Sequence, residues 1–349
     1  MIEIDGSLHG GGGQVLRTAL SLSVALQKPF RITNIRASRP NPGLAAQHIT
    51  AVRACAAISR AKMEGDSLGS RELVFSPNGI VAGDYSFDVS AVNPSAGSAV
   101  LVLQSILPPL LYAPGRSRVS IIGGTHVPWS PCYDYAEKVF LPAIARIGAA
   151  ASASLQRRGF YPSGAGKITA QIEPLDTGRA LSPFVLESRG ILKSVSGESV
   201  ASSLPLSIAE RQKSAALSAL APLQCGKKIS CQRGESASPG TFAFLAADYG
   251  NTCEGFFSLG AKGKSAEAVG KEAAGALLKF DSSAASVDEH LADQLLAYCA
   301  LAQGESKFTV PEVTAHFTAN AETVKLFLPG VKISSDGIHV SVIGAGLCR

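Results

Sequence analysis

His316 has the sequence context of a histidine that reacts with phosphate groups. It stands in the segment VTAHFTAN, after a predicted strand at residues 307–310 and ahead of a predicted helix that begins near residues 318–320. Unpaired N–H groups at the start of a helix bind anions such as phosphate. A neutral imidazole is also a nucleophile toward phosphorus and can form a covalent intermediate. Two interpretations remain open, a phosphate-reactive histidine and a histidine that only occupies a turn or a cap.

Four consecutive glycines at residues 10–13 join a predicted strand at residues 1–5 to a predicted helix that begins at Gln14. Glycine leaves the N–H groups of such a loop accessible, and the helix dipole favours negative charge at the same place. Arg17, one turn into the helix, would reinforce a phosphate site. The run matches neither the Walker sequence nor the dinucleotide-binding fingerprint. A phosphate site and a tight strand-to-helix turn are both compatible with it.

Two arginines bracket a proline-rich turn in the segment IRASRPNPGLAAQH. Arg36 and Arg39 are followed by Gln47 and His48 on the next predicted helix. Paired guanidinium groups on a loop suit phosphate contacts, although arginine is also common on surfaces without a ligand. This loop is therefore a second candidate anion site.

Polar side chains also occur on two predicted helices that are otherwise apolar. The segment VDEHLADQ places His290, Asp293 and Gln294 within about one turn of each other. Asp293 could bind a metal or orient a base, and the alternative is a solvated helix face. Gln104 lies in the apolar helix VLVLQSIL, where a buried amide needs hydrogen-bond partners. Gln104 is therefore either satisfied in the core or turned toward a ligand.

These residues are carried by a supersecondary unit that recurs along the chain. The hydrophobic patterns predict strands and helices in the order βαβαββ over about residues 1–80 and again over residues 85–172. A third copy begins with a helix at residues 288–302 and ends with a strand at residues 338–342. Each copy has an apolar sheet face to bury, so we expect three repeats packed together around a common core. The predicted class is α/β, of the α+β type.

Residues 181–280 do not follow the repeated pattern. They predict two strands, a helix at residues 207–221, three further strands to about residue 258 and a helix at residues 266–278. We predict a smaller α/β domain inserted before the third repeat. Residues 1–180 and 281–349 would then form the main domain.

The composition excludes several function classes. The 349-residue chain has a net charge of +5, and it contains no block of five like charges that could act as a basic nucleic-acid-binding tail. Its seven cysteines form no Cys-x-x-Cys pair, which argues against a disulfide framework and a zinc knuckle. Since no apolar run reaches 18 residues and no signal peptide precedes the first strand, we expect no membrane partner and a cytoplasmic location.

Seven segments, in order along the chain, carry a resemblance to a known family. They are DGS…GGGGQVLRTALSLS, IRASRPNPGLAAQHITAV, GGTHVPWSP, RRGFYPSGAG, SSLPLSIAERQ, HLADQ and TAHFTAN. With these motifs the chain, from residue 1 to about residue 343, resembles the RNA 3′-terminal phosphate cyclase family. The resemblance implies three βαβαββ repeats with a smaller α/β domain inserted before the third, in agreement with the patterns above.

The resemblance implies an ATP-dependent enzyme that converts a terminal 3′-phosphate of RNA into a 2′,3′-cyclic phosphate. His316 matches the family's nucleophile, which attacks the α-phosphorus of ATP, releases pyrophosphate and carries AMP. The expected partners are ATP as co-substrate, RNA with a 3′-phosphate end, and a divalent metal, Mg²⁺ or Mn²⁺.

The resemblance also implies two groups of binding residues. Those that match the ATP-binding segment are Gln104, His290, Leu291, Ala292, Asp293 and Gln294. Those that match polar positions around the phosphate and the RNA end are Arg17, Arg36, Arg39 and Gln47. Because every matched nucleotide position lies outside residues 181–280, we expect the insertion to contribute little to adenylylation.

The sequence departs from the family pattern at three places. The family's glycine loop usually reads Gly-Glu-Gly-Gly-Gly-Gln, with its glutamate close to the ATP phosphates and their metal, whereas His9 and Gly10 stand here. Ala165 stands where a glycine is usual, and Ser207 replaces a histidine. The residues that would hold the metal are therefore left open.

Two function classes compete on these grounds. An active ATP-dependent cyclase is favoured by His316, Asp293 and Gln294, because the binding-only relatives lose the nucleophile. A cyclase-like RNA-binding or ribosome-biogenesis protein with weak or no adenylylation is favoured by the missing glutamate. A sugar-phosphate transferase of the related repeat fold is a third, more remote alternative, for which no substrate signature is visible.

Overall fold

The computed structural model describes residues 1–10 and 12–349, and for His9 the backbone only. The first repeat is a four-stranded sheet with two helices. Its elements are β1 (Ile2–Asp5), a 3-10 turn (Leu8–Gly10), α1 (Gly13–Leu26), β2 (Phe30–Thr33), α2 (Ala46–Ser59), β3 (Lys62–Glu64) and β4 (Leu73–Ser76). The strand order is β1-β2-β4-β3, with β1 and β2 parallel and the other neighbours antiparallel.

The second repeat has the same strand order and the same directions. It contains β5 (Asp84–Asp88), a 3-10 turn (Val89–Ala91), α3 (Ala99–Leu110), β6 (Ser117–Gly123), α4, β7 (Ala151–Arg157) and β8 (Gly166–Ile172). The helix α4 runs through three consecutive pieces, Tyr133–Tyr135, a π-helical stretch Ala136–Phe140, and Leu141–Ala145. The sheet order is β5-β6-β8-β7, with β5 and β6 parallel.

After β9 (Val185–Leu186) the chain builds a separate four-stranded sheet. This inserted sheet contains β10 (Ser194–Ser202), β11 (Gly226–Gly234), β12 (Gly240–Asp248) and β13 (Cys253–Leu259) in the order β11-β10-β12-β13. Two helices accompany it, α5 (Leu206–Ala219) and α6 (Ala266–Asp281). The strand β12 reads TFAFLAA and is buried on both sides, which explains its continuous apolar run.

The third repeat consists of α7 (Glu289–Leu301), β14 (Glu305–Thr309), α8 (Ala315–Phe327), β15 (Lys332–Ser335) and β16 (His339–Ile343), together with β9. Its strand order is β15-β16-β14-β9, and β9 is parallel to β14. The predicted class and the repeated architecture are confirmed.

One detail differs from the sequence-based expectation. The strand predicted at residues 184–187 belongs to the third sheet and not to the inserted one, because Val185 and Leu186 pair with Lys307 and Phe308. It supplies the parallel first strand that β1 and β5 supply in the other repeats. The insertion therefore follows the first strand of the third repeat, and the domain limits at residues 180 and 281 stay a prediction.

The helices of the three repeats share one hydrophobic core, in which α1 packs against α3 and α8, α2 against α3, and α7 against α8. The inserted sheet contributes to this core with Val200, Phe242, Phe244 and Ala246. Its alternate residues, among them Leu245 and Ala247, pack instead under α5 and α6 in a second cluster. None of the helices in the described part of the chain combines the length and the apolar character that a membrane span requires.

Candidate active site

His316 lies in the first turn of α8, two residues after Thr314, which caps the helix. The Thr314 hydroxyl accepts a hydrogen bond from the Phe317 N–H at 2.9 Å, and it donates one to Oδ1 of Asp293 at 3.1 Å. The cap ties the start of α8 to α7. His316 is exposed to solvent at the start of α8, so a ligand can reach its ring.

The surroundings of His316 favour its neutral form. Partial desolvation lowers the pKa of the imidazole below its ordinary value, and the positive charges of Arg39, Arg17 and His290 lower it further. Three predicted site residues therefore lie close enough to His316 to act on its charge. A neutral imidazole has a free electron pair for attack on an electrophile.

Arg17 is a half-buried cation near the amino terminus of α1. Burial lowers the pKa of its guanidinium to about 10. The hydrogen bonds and ion pairs found among residues 1–10 and 12–349 include none to this side chain. The α1 amino terminus next to it has no side-chain cap on its N–H groups. A desolvated guanidinium beside free helix N–H groups is an anion-binding arrangement.

His48 lies close to Arg17; the sequence placed it beside the arginine loop but gave it no role at the site. It is 3% exposed, and its Nδ1 accepts a hydrogen bond from the Ala45 N–H at 3.1 Å. Burial, with Arg17 and Arg36 as like charges, lowers the pKa of His48 to about 3, so the ring is neutral. A Cβ on Gly13 would stand 2.4 Å from Nε2 of His48 and 2.8 Å from Nη1 of Arg17. Glycine at position 13 is what allows these groups to approach α1.

The loop between β2 and α2 holds the other two arginines. Arg36 has a left-handed backbone with φ of 55°, and its Nη1 donates to the Gly43 carbonyl at 2.7 Å. Burial and the charge of Arg39 lower the pKa of Arg36, whereas Arg39 itself is exposed. Two like charges held on one short loop favour a bound anion.

Gln47 has a partner within the protein. Its Oε1 accepts a hydrogen bond from the Ser98 N–H at 2.8 Å. Ser98 is in turn the N-cap of α3, since its hydroxyl accepts from the Leu101 N–H at 3.2 Å. Gln47 therefore joins the start of α2 to the start of α3, a link that no local sequence pattern indicates.

The predicted nucleotide-binding residues divide into a polar and an apolar group. Nε2 of Gln104 donates to Oε1 of Gln294 at 2.5 Å, so these two residues meet across α3 and α7. Leu291 and Ala292 are 0% and 2% exposed, and their side chains belong to the hydrophobic core. Their assignment as nucleotide-binding residues stays a prediction. Because both side chains are buried, only their backbone atoms could contact a nucleotide.

Asp293 is hydrogen-bonded to Thr314, the residue that caps α8. Burial raises its pKa to about 7, against the opposing effects of the Thr314 hydrogen bond and the charge of His290. Among the residues that the structure describes, no three His, Cys, Asp or Glu side chains form a group that could hold a metal ion. Gly11 and the side chain of His9, part of the predicted glycine loop, lie outside the described residues.

The predicted site residues lie in the first two turns of α1, α2, α7 and α8, in the loop between β2 and α2, and, for Gln104, inside α3. Sequence reasoning missed the α8 cap Thr314 and Asp288, which caps α7. Two signals could have identified these caps, a threonine three residues before Phe317 and an aspartate ahead of the helix that carries His290.

One family of proteins matches this chain over nearly its whole length. The family model described as RNA 3′-terminal phosphate cyclase matches residues 8–334. An RNA 3′-terminal phosphate cyclase of Methylococcus capsulatus is 43% identical over 352 residues, which cover 100% of this chain and 96% of that protein. A protein of the same name from Trichormus variabilis is 46% identical over 332 residues, or 94% of each chain. Another, from Hyperthermus butylicus, is 42% identical over 340 residues, or 95% of this chain and 93% of its own. The chain belongs to the RNA 3′-terminal phosphate cyclase family.

Proposed function

We propose that this protein is an ATP-dependent RNA 3′-terminal phosphate cyclase that works through AMP bound covalently to His316. The observation that carries the proposal is a neutral, accessible imidazole at the start of α8 that experiences the charges of Arg17 and Arg39. Arg17 is half-buried and has no acidic partner among the described residues. A polyphosphate would neutralise these cations while the imidazole remains free to attack.

The reaction then has three displacements at phosphorus. An imidazole nitrogen of His316 attacks the α-phosphorus of ATP, the bond to pyrophosphate breaks, and the ring loses its proton. An oxygen of the RNA 3′-phosphate next attacks the bound AMP, and the phosphorus–nitrogen bond breaks. The neighbouring 2′-hydroxyl finally attacks the RNA phosphorus, AMP leaves, and the hydroxyl proton is released as the ring closes. Positioning and charge neutralisation dominate such steps.

The described residues divide these tasks by location. Arg17, Arg36 and Arg39 would bind phosphate oxygens, and His48 would hold Arg17 in place as a neutral neighbour. The hydrogen-bonded pair of Gln104 and Gln294 would contact the nucleoside.

A divalent metal would add neutralisation of the charge that develops on pyrophosphate. The residues present fit a cation held largely by phosphate oxygens and water, because the described part of the chain contains no group of three potential ligands. Asp293, bonded to the α8 cap, is the candidate protein ligand.

The decisive experiment is adduct formation from ATP labelled at the α-phosphate. We expect an acid-labile AMP adduct on His316, abolished in His316→Ala and His316→Asn. The matched control is His339→Ala, because His339 is an exposed histidine that pairs with Asp336 on β16. AMP located by mass spectrometry on a lysine or on another histidine would refute the assignment.

A second candidate is a cyclase-like protein that binds RNA ends without adenylylation. The observation that favours it is Gly10 at the position of the family's usual glutamate. It predicts RNA binding by the wild-type protein and no adduct at any concentration of ATP and metal.

A further inference from the structure

Asp288 is the N-cap of α7 and is buried. Its Oδ1 accepts hydrogen bonds from the N–H groups of His290 at 2.7 Å and Leu291 at 2.9 Å. The residue is only 3% exposed. A buried N-cap fixes the direction in which a helix begins, because the N–H groups have no water to replace the carboxylate.

Two groups from other parts of the fold hold Asp288. The Tyr135 hydroxyl, from α4, donates to Oδ2 of Asp288 at 2.7 Å. Glu254, from β13 of the inserted sheet, accepts the Asp288 backbone N–H at 3.1 Å through Oε2. The two carboxyl groups also share a hydrogen bond. Glu254 itself is 0% exposed, and Thr252 donates to its Oε1 at 2.9 Å.

This arrangement requires a proton on Glu254. No ion pair among the described residues supplies a cation to Glu254 or Asp288. Burial and the charge of Asp288 raise the pKa of Glu254 well above its ordinary value. Burial therefore favours the protonated form of Glu254, which can donate to the Asp288 carboxyl group beside it.

We infer that Glu254 is a positioning residue of the nucleotide site, acting through Asp288 on the first turn of α7. The inference rests on the proposed function, since α7 carries His290 in its first turn and Asp293 and Gln294 directly after that turn. It departs from the expectation that the insertion contributes little to adenylylation. The inserted sheet reaches the site with one buried carboxyl group.

Two contacts on α7 would transmit the effect. Asp293 accepts from the cap of α8 at 3.1 Å, and Gln294 accepts from Gln104 at 2.5 Å. A shift at the start of α7 moves both contacts together. Loss of the Glu254 carboxyl group would thus loosen nucleotide binding without removing any group that touches the nucleotide.

The test compares Glu254→Ala with Glu254→Gln, whose amide can still donate to Asp288. Ser258→Ala is the matched control, because Ser258 is a buried polar residue of the same strand whose partners, Glu272 and Lys264, lie within the insertion. Three quantities are measured: the ATP concentration for half-maximal adduct formation, ATP affinity by calorimetry, and hydrogen exchange of the His290 and Leu291 amides without ATP. Tyr135→Phe serves as a second, milder variant.

We expect Glu254→Ala to raise the ATP concentration for half-maximal adduct formation about tenfold, the usual effect of losing one hydrogen bond to a charged group. The adduct rate at saturating ATP should stay close to that of the wild type, and the two amides should exchange faster. Ser258→Ala should match the wild type. Glu254→Gln should lose less than Glu254→Ala, because its amide keeps part of the Glu254 contacts although its nitrogen cannot accept a hydrogen bond. Tyr135→Phe should also show a smaller loss.

Unchanged ATP affinity and amide exchange in folded Glu254→Ala would overturn the inference, as would a Gln variant impaired as much as the Ala variant. If Glu254→Ala does not fold, unchanged values in Tyr135→Phe overturn it as well. A wild-type protein that forms no adduct refutes the proposed function alone, since binding and amide exchange still report on α7.

Discussion

Nε2 of Gln104 lies 2.5 Å from Oε1 of Gln294, a residue 190 positions further along the chain. Gln104 belongs to the second repeat and Gln294 to the third, so this bond joins two repeats at the candidate site. The Gln294 amide donates in turn to the His290 carbonyl at 2.9 Å. The orientation of each amide is therefore fixed before a ligand arrives.

We predict that Gln104→Leu weakens nucleotide binding about tenfold, because it leaves Oε1 of Gln294 without its donor. The measurement is the ATP dependence of adduct formation. Since the two amides act as one unit, the double variant Gln104→Leu with Gln294→Leu should lose little more than either single variant. Fully additive losses would mean that the two residues act independently.

The space around Gly13 gives a second prediction. Gly13→Ala would bring a Cβ to 2.4 Å from the buried His48 ring, which cannot move as the flexible end of Arg17 can. We expect adduct formation to fall roughly 10- to 100-fold, the range that follows a displacement of about 1 Å in a catalytic site. The control is Gly275→Ala, a helical glycine of α6 with nothing within 4 Å of the added Cβ. Wild-type activity in Gly13→Ala would show that Arg17 and His48 need not stay where they lie.

The surroundings of His316 give a prediction about pH. Its pKa is lowered from 6.5 by desolvation and by Arg39, Arg17 and His290. Protonation removes the nucleophile, so adduct formation should decline only as the pH falls below 6.5. An NMR titration of the free protein checks this directly. Arg39→Gln removes one repelling charge and should move the His316 midpoint upward. A midpoint above 6.5 in the wild type would contradict the electrostatic account.

Much of the fold follows from local patterns that can be read in the sequence. The helical spacing of Val15, Ala19 and Leu22 and the alternation in β1 predict their elements, because these residues are buried on the core side. The repeat is then visible as the same series of elements. The strand β9 was misplaced because it has only two residues and pairs with a strand some 120 positions away.

The site was predictable where a motif carried it and not where distant residues meet. Arg17, Arg39 and His290 were predicted near His316, and their charges act on it in the structure. Glu254 was not predictable, because a single glutamate in CEGFFSL gives no sign that it faces Asp288. Two carboxyl groups become partners only after folding has buried both and made them share a proton.

A second carboxyl pair gives a prediction about stability. Glu198 on β10 bonds to Asp134, and burial together with that bond raises the pKa of Glu198 to about 8. The folded protein keeps this proton up to about pH 8, whereas the unfolded chain releases it near 4.5. Stability is therefore lost as the pH rises between these values.

Glu198→Gln removes this linkage while keeping an amide beside Asp134. In thermal unfolding, the Tm of the variant relative to the Tm of the wild type should rise by a few degrees as the pH increases from about 5 to about 8. The exposed pair of Arg211 and Glu267 supplies the control, because Glu267→Gln has no raised pKa to remove. A constant difference in Tm across that range would show that Glu198 is ionised in the folded protein.

The last prediction concerns the carboxylate that the glycine loop lacks. Pyrophosphate develops negative charge as it leaves ATP, and Arg17 with the helix N–H groups would neutralise only part of it. Mg²⁺ in phosphate sites usually keeps one or two carboxylates, so with Gly10 in that position we expect weak apparent Mg²⁺ affinity. Mn²⁺ and Co²⁺ should be relatively better, because they accept imidazole more readily than Mg²⁺ does.

Gly10→Glu tests this expectation with Gly10→Gln as its matched control. The backbone at position 10 has φ of 78°, so both side chains carry the same strain. No atom of the described residues lies within 4 Å of a Cβ added there, so neither variant is disfavoured by a contact among them. Only the glutamate adds charge. The Mg²⁺ concentration for half-maximal adduct formation should therefore fall severalfold in Gly10→Glu relative to Gly10→Gln.

His9→Ala should weaken the response to Mn²⁺ only if His9 has replaced the carboxylate as a ligand. Equal Mg²⁺ titrations in the Glu and Gln variants would show that a loop carboxylate is dispensable, and the glycine run would then act on phosphate alone.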